Sequence, residues 1–513
     1  MERKAAARGT KSRALKGRKP RLLLVNPPHT LYRNSPIFSV YVPTGLLGLA
    51  ANVRDLCGEI SVLDCLIENP IPRKNPDGSV SCGLGFPEIA RRLSEFAPDF
   101  VGIASPFASQ AGNAREIAGI CRKVCPGAEI IFGGPDASTR FREYLGKGVA
   151  DYCVVGEGEF ILRDFFRGLS KVKGLAVRKG GKILLTPRKF ERNLDKLPLP
   201  AYDLVDLGKY LSNPRLYSGR GLIPERSVPI VTSRGCPYKC TFCSIHLHMG
   251  RRFRAHSPEY VVRHIRLLYE KYGVRNFHFE DDGLSLDRKR FEKILDLLIK
   301  SGMRIKWDAP NGVRADSLDR KLIGKMKKSG CFQVKIGIES GNQRILDGVV
   351  RKNLSLGKVV SVAKECKEAG LNCAAFYVIG FPGETIRNME ETSEFALRLL
   401  RECDVFPHLF IATPIYGTEL HRLCVEKGYV SEVTERALAE STVSWGENVI
   451  ETGEFSKRDV RQVLERFYRK ALPEFIGYFI RKPGLLARAG KLALLNGSTL
   501  FFLGKYFSFR KGA

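Results

Sequence analysis

One feature constrains this fold most: short apolar runs alternate with amphipathic segments, and the alternation occurs twice. The runs RLLLVNPP (21–28), EISVLDC (59–65), DFVGIAS (99–105), AEIIFGG (128–134) and DYCVVG (151–156) are brief and apolar and end in small or turn-forming residues. That is the pattern of strands buried on both faces of a parallel sheet. GLLGLAANVRD, FPEIARRLSEF and QAGNAREIAGICRKV between them have helical spacing. Five such units predict a doubly wound, flavodoxin-like α/β domain, with ligands at the carboxyl ends of its strands. KVKGLAVRKGGKILLTP (171–187) reads as a hairpin turning at Gly180-Gly181, and the Pro-rich LDKLPLPAYDLVDLGKY (194–210) as a linker. A second series follows, with strands at 228–233, 275–281, 304–310, 333–340, 374–380 and 408–414. Helices at 258–272, 287–301, 318–329, 355–369 and 386–402 separate them, which predicts a barrel or partial barrel.

Composition bounds the rest. The chain has 513 residues with 44% hydrophobic and 27% charged, which excludes wholesale disorder, and the length asks for two or three domains. The expected layout is a basic tail (1–20), the flavodoxin-type domain (21–193), a linker (194–224), the barrel (225–430) and a helical, basic extension (431–513). Of the net charge of +30, residues 1–20 and 470–513 supply +7 each. The first twenty residues hold no apolar stretch, so neither a secretory signal nor an anchor is expected there. Fourteen cysteines without such a signal point to a reducing, cytoplasmic setting. Residues 470–513 alternate large apolar residues with Arg and Lys, and their longest uncharged run is too short to span a bilayer. Two readings stand level: peripheral attachment to the inner face of a membrane, or a helical pair packed on the protein's own core. Nucleic acid ranks below both, because no RRM-like, KH-like or zinc-finger pattern accompanies the charge.

Chemistry concentrates in TSRGCPYKCTFCSIHLH (232–248), directly after the first strand of the second series. Cys236, Cys240 and Cys243 form a C-x3-C-x2-C triplet in one loop. Three thiolates at this spacing can hold three corners of a [4Fe–4S] cluster and leave one iron open. The same spacing admits a Cys3His zinc knuckle completed by His246 or His248, which with the basic charge would make a nucleic-acid-binding protein. The first domain's strand ends are Asn26-Pro27-Pro28, Asp64, Ser105-Pro106, Gly133-Gly134-Pro135 and Gly156-Glu157-Gly158. His29 reads as a surface-loop residue. Cys121 and Cys125, a helical turn apart, read as buried thiols. Arg251, Arg252 and Arg254 suit either an anionic ligand or a solvated face. Alternation alone does not decide whether His278 faces the site or the core.

The triplet, Phe242 before its third cysteine and the six β/α units resemble the radical S-adenosylmethionine superfamily. FEDDGLS (279–285) resembles that family's acidic motif, with Glu280, Asp281 and Asp282 engaging the methionine amino group. NGVRAD (311–316) and GIESGNQRIL (337–346) resemble segments lining the S-adenosylmethionine site, with Arg314, Glu339 and Ser340 as contacts. VIGFPGET (378–385) resembles the strand-five motif whose backbone, at Ile379 and Gly380, reads adenine. Tyr416 departs from the family, many of whose members have Pro there. The resemblance implies reductive cleavage of S-adenosylmethionine at the open iron, and hydrogen abstraction by the 5′-deoxyadenosyl radical. The electron would come from a flavodoxin- or ferredoxin-type donor.

The first domain is similar to those of cobalamin-binding radical enzymes. NPP (26–28), PTGLLGLAANVRD (43–55), LDC (63–65), FGGPDAS (132–138) and VVGEGE (154–159) stand where that family places them. The resemblance implies cobalamin contacts at Asn26, Pro27, Pro28, Thr44, Gly45, Asp64, Ser105, Gly133, Gly134, Pro135, Gly156 and Glu157. The Asp-x-His-x-x-Gly motif that supplies a lower ligand to cobalt is absent, and Asp136 stands where relatives commonly have His. A corrinoid without a lower histidine is therefore expected. The leading expectation is C-methylation of an unactivated carbon in a small-molecule or lipid-like substrate. The runner-up keeps both cofactors and performs oxidative cyclisation or rearrangement. Residues 431–470 are expected to begin a helical cap over the barrel.

Overall fold

The computed structural model describes residues 18–32, 40–213, 227–431, 433–441 and 446–487. Residues 1–17 of the expected tail, 214–224 of the expected linker and 488–513 of the extension lie outside these. The chain forms two compact units: one of residues up to 30, 43–207 and 244–250, the other of 31–42, 208–243 and 251 onward.

In the first unit, alternate residues of one strand feed two cores. In β1 (Arg21–Asn26), Leu22 and Leu24 pack with Ala50, Val53, Ile161 and Leu162 on one face, while Leu23 and Val25 pack with Ile89, Leu93, Ile117 and Cys121 on the other. Helices therefore cover both sides. With β2 (Glu59–Asp64), β3 (Phe100–Ala104), β4 (Glu129–Gly133) and β5 (Tyr152–Val154), the parallel order is β2-β1-β3-β4-β5. The predicted hairpin adds β6 (Leu175–Lys179) and β7 (Lys182–Leu185) antiparallel beyond β5. Strand order reverses between β1 and β3, so Asn26 and Ser105 flank the crevice where ligands of this architecture bind. Helices α1 (Thr44–Val53), α2 (Phe86–Phe96), α3 (Ala111–Val124), α4 (Pro135–Gly146) and α5 (Gly158–Phe166) connect the strands.

The second unit has six parallel strands in sequence order: β8 (Ser227–Ile230), β9 (Asn276–Phe279), β10 (Lys306–Val313), β11 (Cys331–Glu339), β12 (Asn372–Ile379) and β13 (Val405–Ile411). The edge strands β8 and β13 do not pair among the described residues, so the barrel is partial. Helices α6 (Pro258–Tyr272), α7 (Arg288–Lys300), α8 (Arg320–Lys328), α9 (Leu356–Glu368) and α10 (Ile386–Cys403) cover its outer face. Register shifts fall at the carboxyl ends, between Ala309 and Val313 and between Gly337 and Glu339. Bulges there re-aim side chains next to a site.

The C-terminal region is helical, as expected, with one interruption. A short helix, α11 (Glu435–Ser441), precedes a non-helical stretch, and α12 (Lys457–Arg481) starts at a Ser456–Asp459 capping box. Val460, Phe467, Ala471 and Tyr478 of α12 are buried, and Phe475 stacks on Phe406 at the start of β13 with centroids 4.9 Å apart. Ala471, Phe475 and Tyr478 thus pack on the protein's own core, one of the two readings expected, while Ile476 and Ile480 of the same helix are exposed. Among the described residues no helix is long and apolar enough to cross a membrane.

Candidate functional site

The cysteine loop begins where β8 ends, and a buried carboxylate roots it. Asp281 accepts the backbone N–H of Thr232 at 3.1 Å, the Thr232 hydroxyl at 2.8 Å and the Ser233 hydroxyl. Burial raises its carboxyl; the Ser233 hydroxyl and the Arg290 guanidinium oppose that. Arg290 donates to the carbonyls of His256 (2.6 Å) and Thr232 (2.8 Å), completing the anchor. The acidic segment therefore divides. Asp281 serves the loop, whereas the neighbouring Asp282 is exposed. The surrounding protein, followed by Asp281 and Glu280, pushes the Asp282 carboxyl up to about 7. The Glu280 carbonyl accepts Asn311 Nδ2 at 2.9 Å, tying the segment to the β10 bulge.

Residues between the cysteines hold the loop in place. Thr241 donates its N–H to Val350 O (3.1 Å) and its hydroxyl to Val349 O (3.0 Å), and its carbonyl accepts from Leu420 (3.0 Å). The Arg314 guanidinium lies 3.8 Å from the centroid of the Tyr238 ring, and donates to the carbonyls of Lys352 (2.9 Å) and Asn353 (3.0 Å) and to Asp316. Arg314, expected to touch S-adenosylmethionine, also sets loop geometry through these contacts. The ring of Phe242 meets Phe381 of the VIGFPGET turn at 5.8 Å. Burial raises the Cys236 and Cys240 thiols, while Arg314 and Lys352 pull them back towards thiolate.

At the end of β11, Glu339 adopts φ +75°, strained for a residue with a side chain. Its Oε1 accepts Lys352 Nζ at 2.6 Å, and a Cβ at Gly337 would come within 2.8 Å of that nitrogen. Ser340 is fully buried; its hydroxyl bonds Thr392 Oγ1 (3.2 Å) and the N–H of Asn342 (3.2 Å). Ile379 is buried and its carbonyl accepts Ala412 N–H at 2.8 Å. The N–H groups of Gly380 (2.7 Å) and Phe381 (2.8 Å) both donate to Glu384 Oε2. Burial pushes the Glu384 carboxyl up to about 8, and its Oε1 has no hydrogen-bond partner among the described residues. Sequence reasoning missed this role, as it missed Asn448 and Val460, which lie against Gly380.

The thiols of Cys236, Cys240 and Cys243 are half-exposed on one loop, whereas every other cysteine except Cys125 is buried. Three accessible thiols flanked by cations form a donor set that fits three corners of a [4Fe–4S] cluster. Among the described residues no three His, Cys, Asp or Glu stand close enough to hold one metal ion, and His246 and His248 lie on a short helix after the third cysteine.

In the first unit, the expected cobalamin residues gather at the carboxyl edge of the sheet. Asn26 Nδ2 donates to Asp64 Oδ1 at 2.8 Å, and the Pro28 carbonyl accepts Asn113 Nδ2 at 2.7 Å. Ser105 Oγ donates to Asp136 Oδ2 (2.9 Å), which Tyr144 Oη (2.5 Å) and Arg140 also bond. The Ser105 hydroxyl and Asp136 thus satisfy each other. Gly134 (φ +110°) lies against Ser105, where a Cβ would sit 2.8 Å from the carbonyl, and Gly156 N–H bonds Ser138 Oγ at 3.0 Å. Gly45 in the first turn of α1 has no atom near its would-be Cβ, and Pro135 opens α4 beside Gly133. Glu157 is buried at the N-cap of α5, and Pro27 is buried at the end of β1. These glycine-lined strand ends and helix N-termini suit a large anionic cofactor, so the residues fit a corrinoid. His29 is half-buried rather than on a surface loop, and burial lowers its imidazole to about 4.

Comparisons with known proteins agree with this geometry. The Radical SAM superfamily model matches residues 230–396, and the B12 binding domain model matches 37–166. The chain is 29% identical over 459 residues to the uncharacterized methyltransferase PH0819 of Pyrococcus horikoshii, covering 87% of this chain and 91% of that protein. It is 29% identical over 447 residues to cytidylyl-2-hydroxyethylphosphonate methyltransferase of Streptomyces wedmorensis, covering 80% and 82%. It is 27% identical over 322 residues to the anaerobic magnesium-protoporphyrin IX monomethyl ester cyclase of Cereibacter sphaeroides, covering 60% and 51%. Two solved structures share the fold: TsrM from Kitasatospora setae (TM-score 0.62, 18% identity, 81% of this chain and 76% of that one) and OxsB (TM-score 0.66, 17% identity, 93% and 72%). A radical SAM domain and a B12-binding domain in one chain bring with them a [4Fe–4S] cluster, S-adenosylmethionine and cobalamin. The chain belongs to the B12-binding-domain radical S-adenosylmethionine enzymes.

Proposed function

We propose that this enzyme methylates an unactivated carbon of a small molecule. One observation carries the reading: similarity to a methyltransferase extends over 87% of this chain and 91% of that relative, through both domains. When bound, the cluster with S-adenosylmethionine supplies a 5′-deoxyadenosyl radical, and the corrinoid supplies the methyl group. Cys236, Cys240 and Cys243 are assigned to the cluster, and Asp281, Thr241 and Arg314 keep their loop in register. Glu280, Asp282, Glu339 and the Ile379–Gly380 turn are assigned to S-adenosylmethionine, and the strand ends of residues 21–193 to cobalamin. Residues 225–430 carry the radical chemistry. A flavodoxin- or ferredoxin-type protein is the assigned electron donor. The test is product analysis with S-adenosylmethionine carrying a deuterated methyl group. Labelled methyl in the product is expected; 5′-deoxyadenosine formed with no methylated product overturns methyl transfer.

Similarity to the protoporphyrin ester cyclase favours oxidative cyclisation as the second reading. For the membrane, Ile476, Ile480 and Leu486 are exposed beside Arg481 and Lys482, which supports peripheral attachment of the C-terminal segment to anionic lipid. Flotation with anionic vesicles of the wild-type chain and of an Ile476→Ser, Ile480→Ser, Leu486→Ser variant tests this, and equal flotation removes it.

A further inference from the structure

The inner face of the partial barrel carries a row of polar atoms that nothing above uses. Trp307 on β10 packs edge-on against Phe279 and against Phe291 of α7, at 5.1 and 6.2 Å, so these positions face the covering helices. Strand alternation then turns His278 and Asp308 inward, and Gln333 pairs with Asp308 across β10 and β11. The three side chains form one row over three adjacent strands.

His278 Nδ1 and Asp308 Oδ1 lie 2.5 Å apart. The residues are 1%, 0% and 4% exposed, yet His278 Nε2, Asp308 Oδ2 and Gln333 Oε1 have no hydrogen-bond partner among the described residues. Each bare buried atom costs roughly 1–3 kcal/mol, and most buried polar groups in proteins are paired. Three in register point to a ligand. With the Nδ1 proton turned to the carboxylate, all three are acceptors when the ring is neutral. They call for a donor, and Lys335, two residues beyond Gln333 on the same face and 3% exposed, adds a cation to this wall with its Nζ 5.5 Å from the Phe376 centroid. No metal-holding group exists here among the described residues. Further round the same face stand Phe376, His408 and Phe410, half-buried, with centroids 5.7 to 6.4 Å apart. This part of the wall is aromatic.

We propose that His278, Asp308 and Gln333 anchor a hydroxyl or ammonium group of the substrate, whose flat apolar body lies on Phe376, His408 and Phe410. The proposal rests on the reading above only in taking the barrel's ligand to be the methyl acceptor. It is tested by binding alone, with calorimetry and thermal shift on the full-length reconstituted enzyme. The probes are 2-phenylethylamine, 2-phenylethanol, ethylbenzene and phenylacetate at about 10 mM, tenfold above a millimolar dissociation constant. The amine or the alcohol should bind and raise the melting temperature, and which of the two does so identifies the donor. Ethylbenzene should not bind, and phenylacetate binding more tightly than both donors, as capture by Lys335 would give, overturns the proposal. Gln333→Leu, which removes an unbonded oxygen at similar volume, and Asp308→Asn should each weaken donor binding at least tenfold. If Asp308→Asn fails to fold, Gln333→Leu decides. Equal binding of all four probes, as water filling the row would give, overturns the proposal. So does unchanged donor binding in the variants, or no response to either donor. Failure here alongside labelled product discards only the anchor; donor binding without methylated product discards only methyl transfer.

Discussion

Glu384 lets one side chain be tested for two separable effects. Its Oε2 caps the N–H groups of Gly380 and Phe381, while burial raises its carboxyl from 4.5 to about 8. Between those two values the folded chain binds one more proton than the unfolded chain. Stability is therefore intact below pH 4.5 and is lost as pH rises towards 8. Roughly 3.5 pH units at about 1.36 kcal/mol each give an upper bound of about 5 kcal/mol. Glu384→Gln keeps an oxygen for the two N–H groups and removes the titration. Its stability relative to wild type should improve by about 4 kcal/mol between pH 5 and pH 8. Glu384→Ala removes the cap as well and should cost a further 1–3 kcal/mol or so for each bared N–H at every pH. Anaerobic urea unfolding of the three proteins at half-unit pH intervals measures both effects. Parallel curves for wild type and Glu384→Gln would refute the buried-carboxyl argument.

Other substitutions test the two cofactor regions. Replacing Cys236, Cys240 or Cys243 by Ala should abolish cluster iron and S-adenosylmethionine cleavage, whereas Cys121→Ala should retain both; iron analysis and EPR decide. Asp281→Asn puts an amide where two hydroxyls and an N–H now donate. It should cost about 2 kcal/mol and lower iron per chain. Gly134→Ala forces a Cβ against the Ser105 carbonyl at positive φ. A cost of about 2 kcal/mol or more is expected, with reduced corrinoid absorbance after reconstitution.

The strands were legible because both faces of each are buried, which forces the continuous apolar runs that end at Asn26, Ser105 and Gly133. The cysteine triplet was legible because its function is written in spacing within one loop. The supporting contacts were not. Arg314 meets Tyr238 across 76 residues, and Asp281 reaches Thr232 across 49. Local patterning carries no record of such pairings. Asp136 looked like a departure at a ligand position, yet Arg140 and Tyr144 of its own helix and Ser105, 31 residues away, hold it. His278 was undecidable until Trp307 showed which face meets the helices. The Ser456–Asp459 cap of α12 was readable as Ser-x-x-Asp, but the length of the expected cap segment obscured it.

Helix α12 also limits how the protein can be re-engineered. Its Val460 touches the turn at Gly380, and about four turns later on the same helix Phe475 and Tyr478 seal aromatic residues at the opposite end of the barrel. A chimaera exchanging the C-terminal region between relatives, to transplant selectivity, would therefore swap a keystone along with the trimmings. Grafts joined after residue 487 preserve it, while junctions inside 457–481 require the matching barrel floor to travel too.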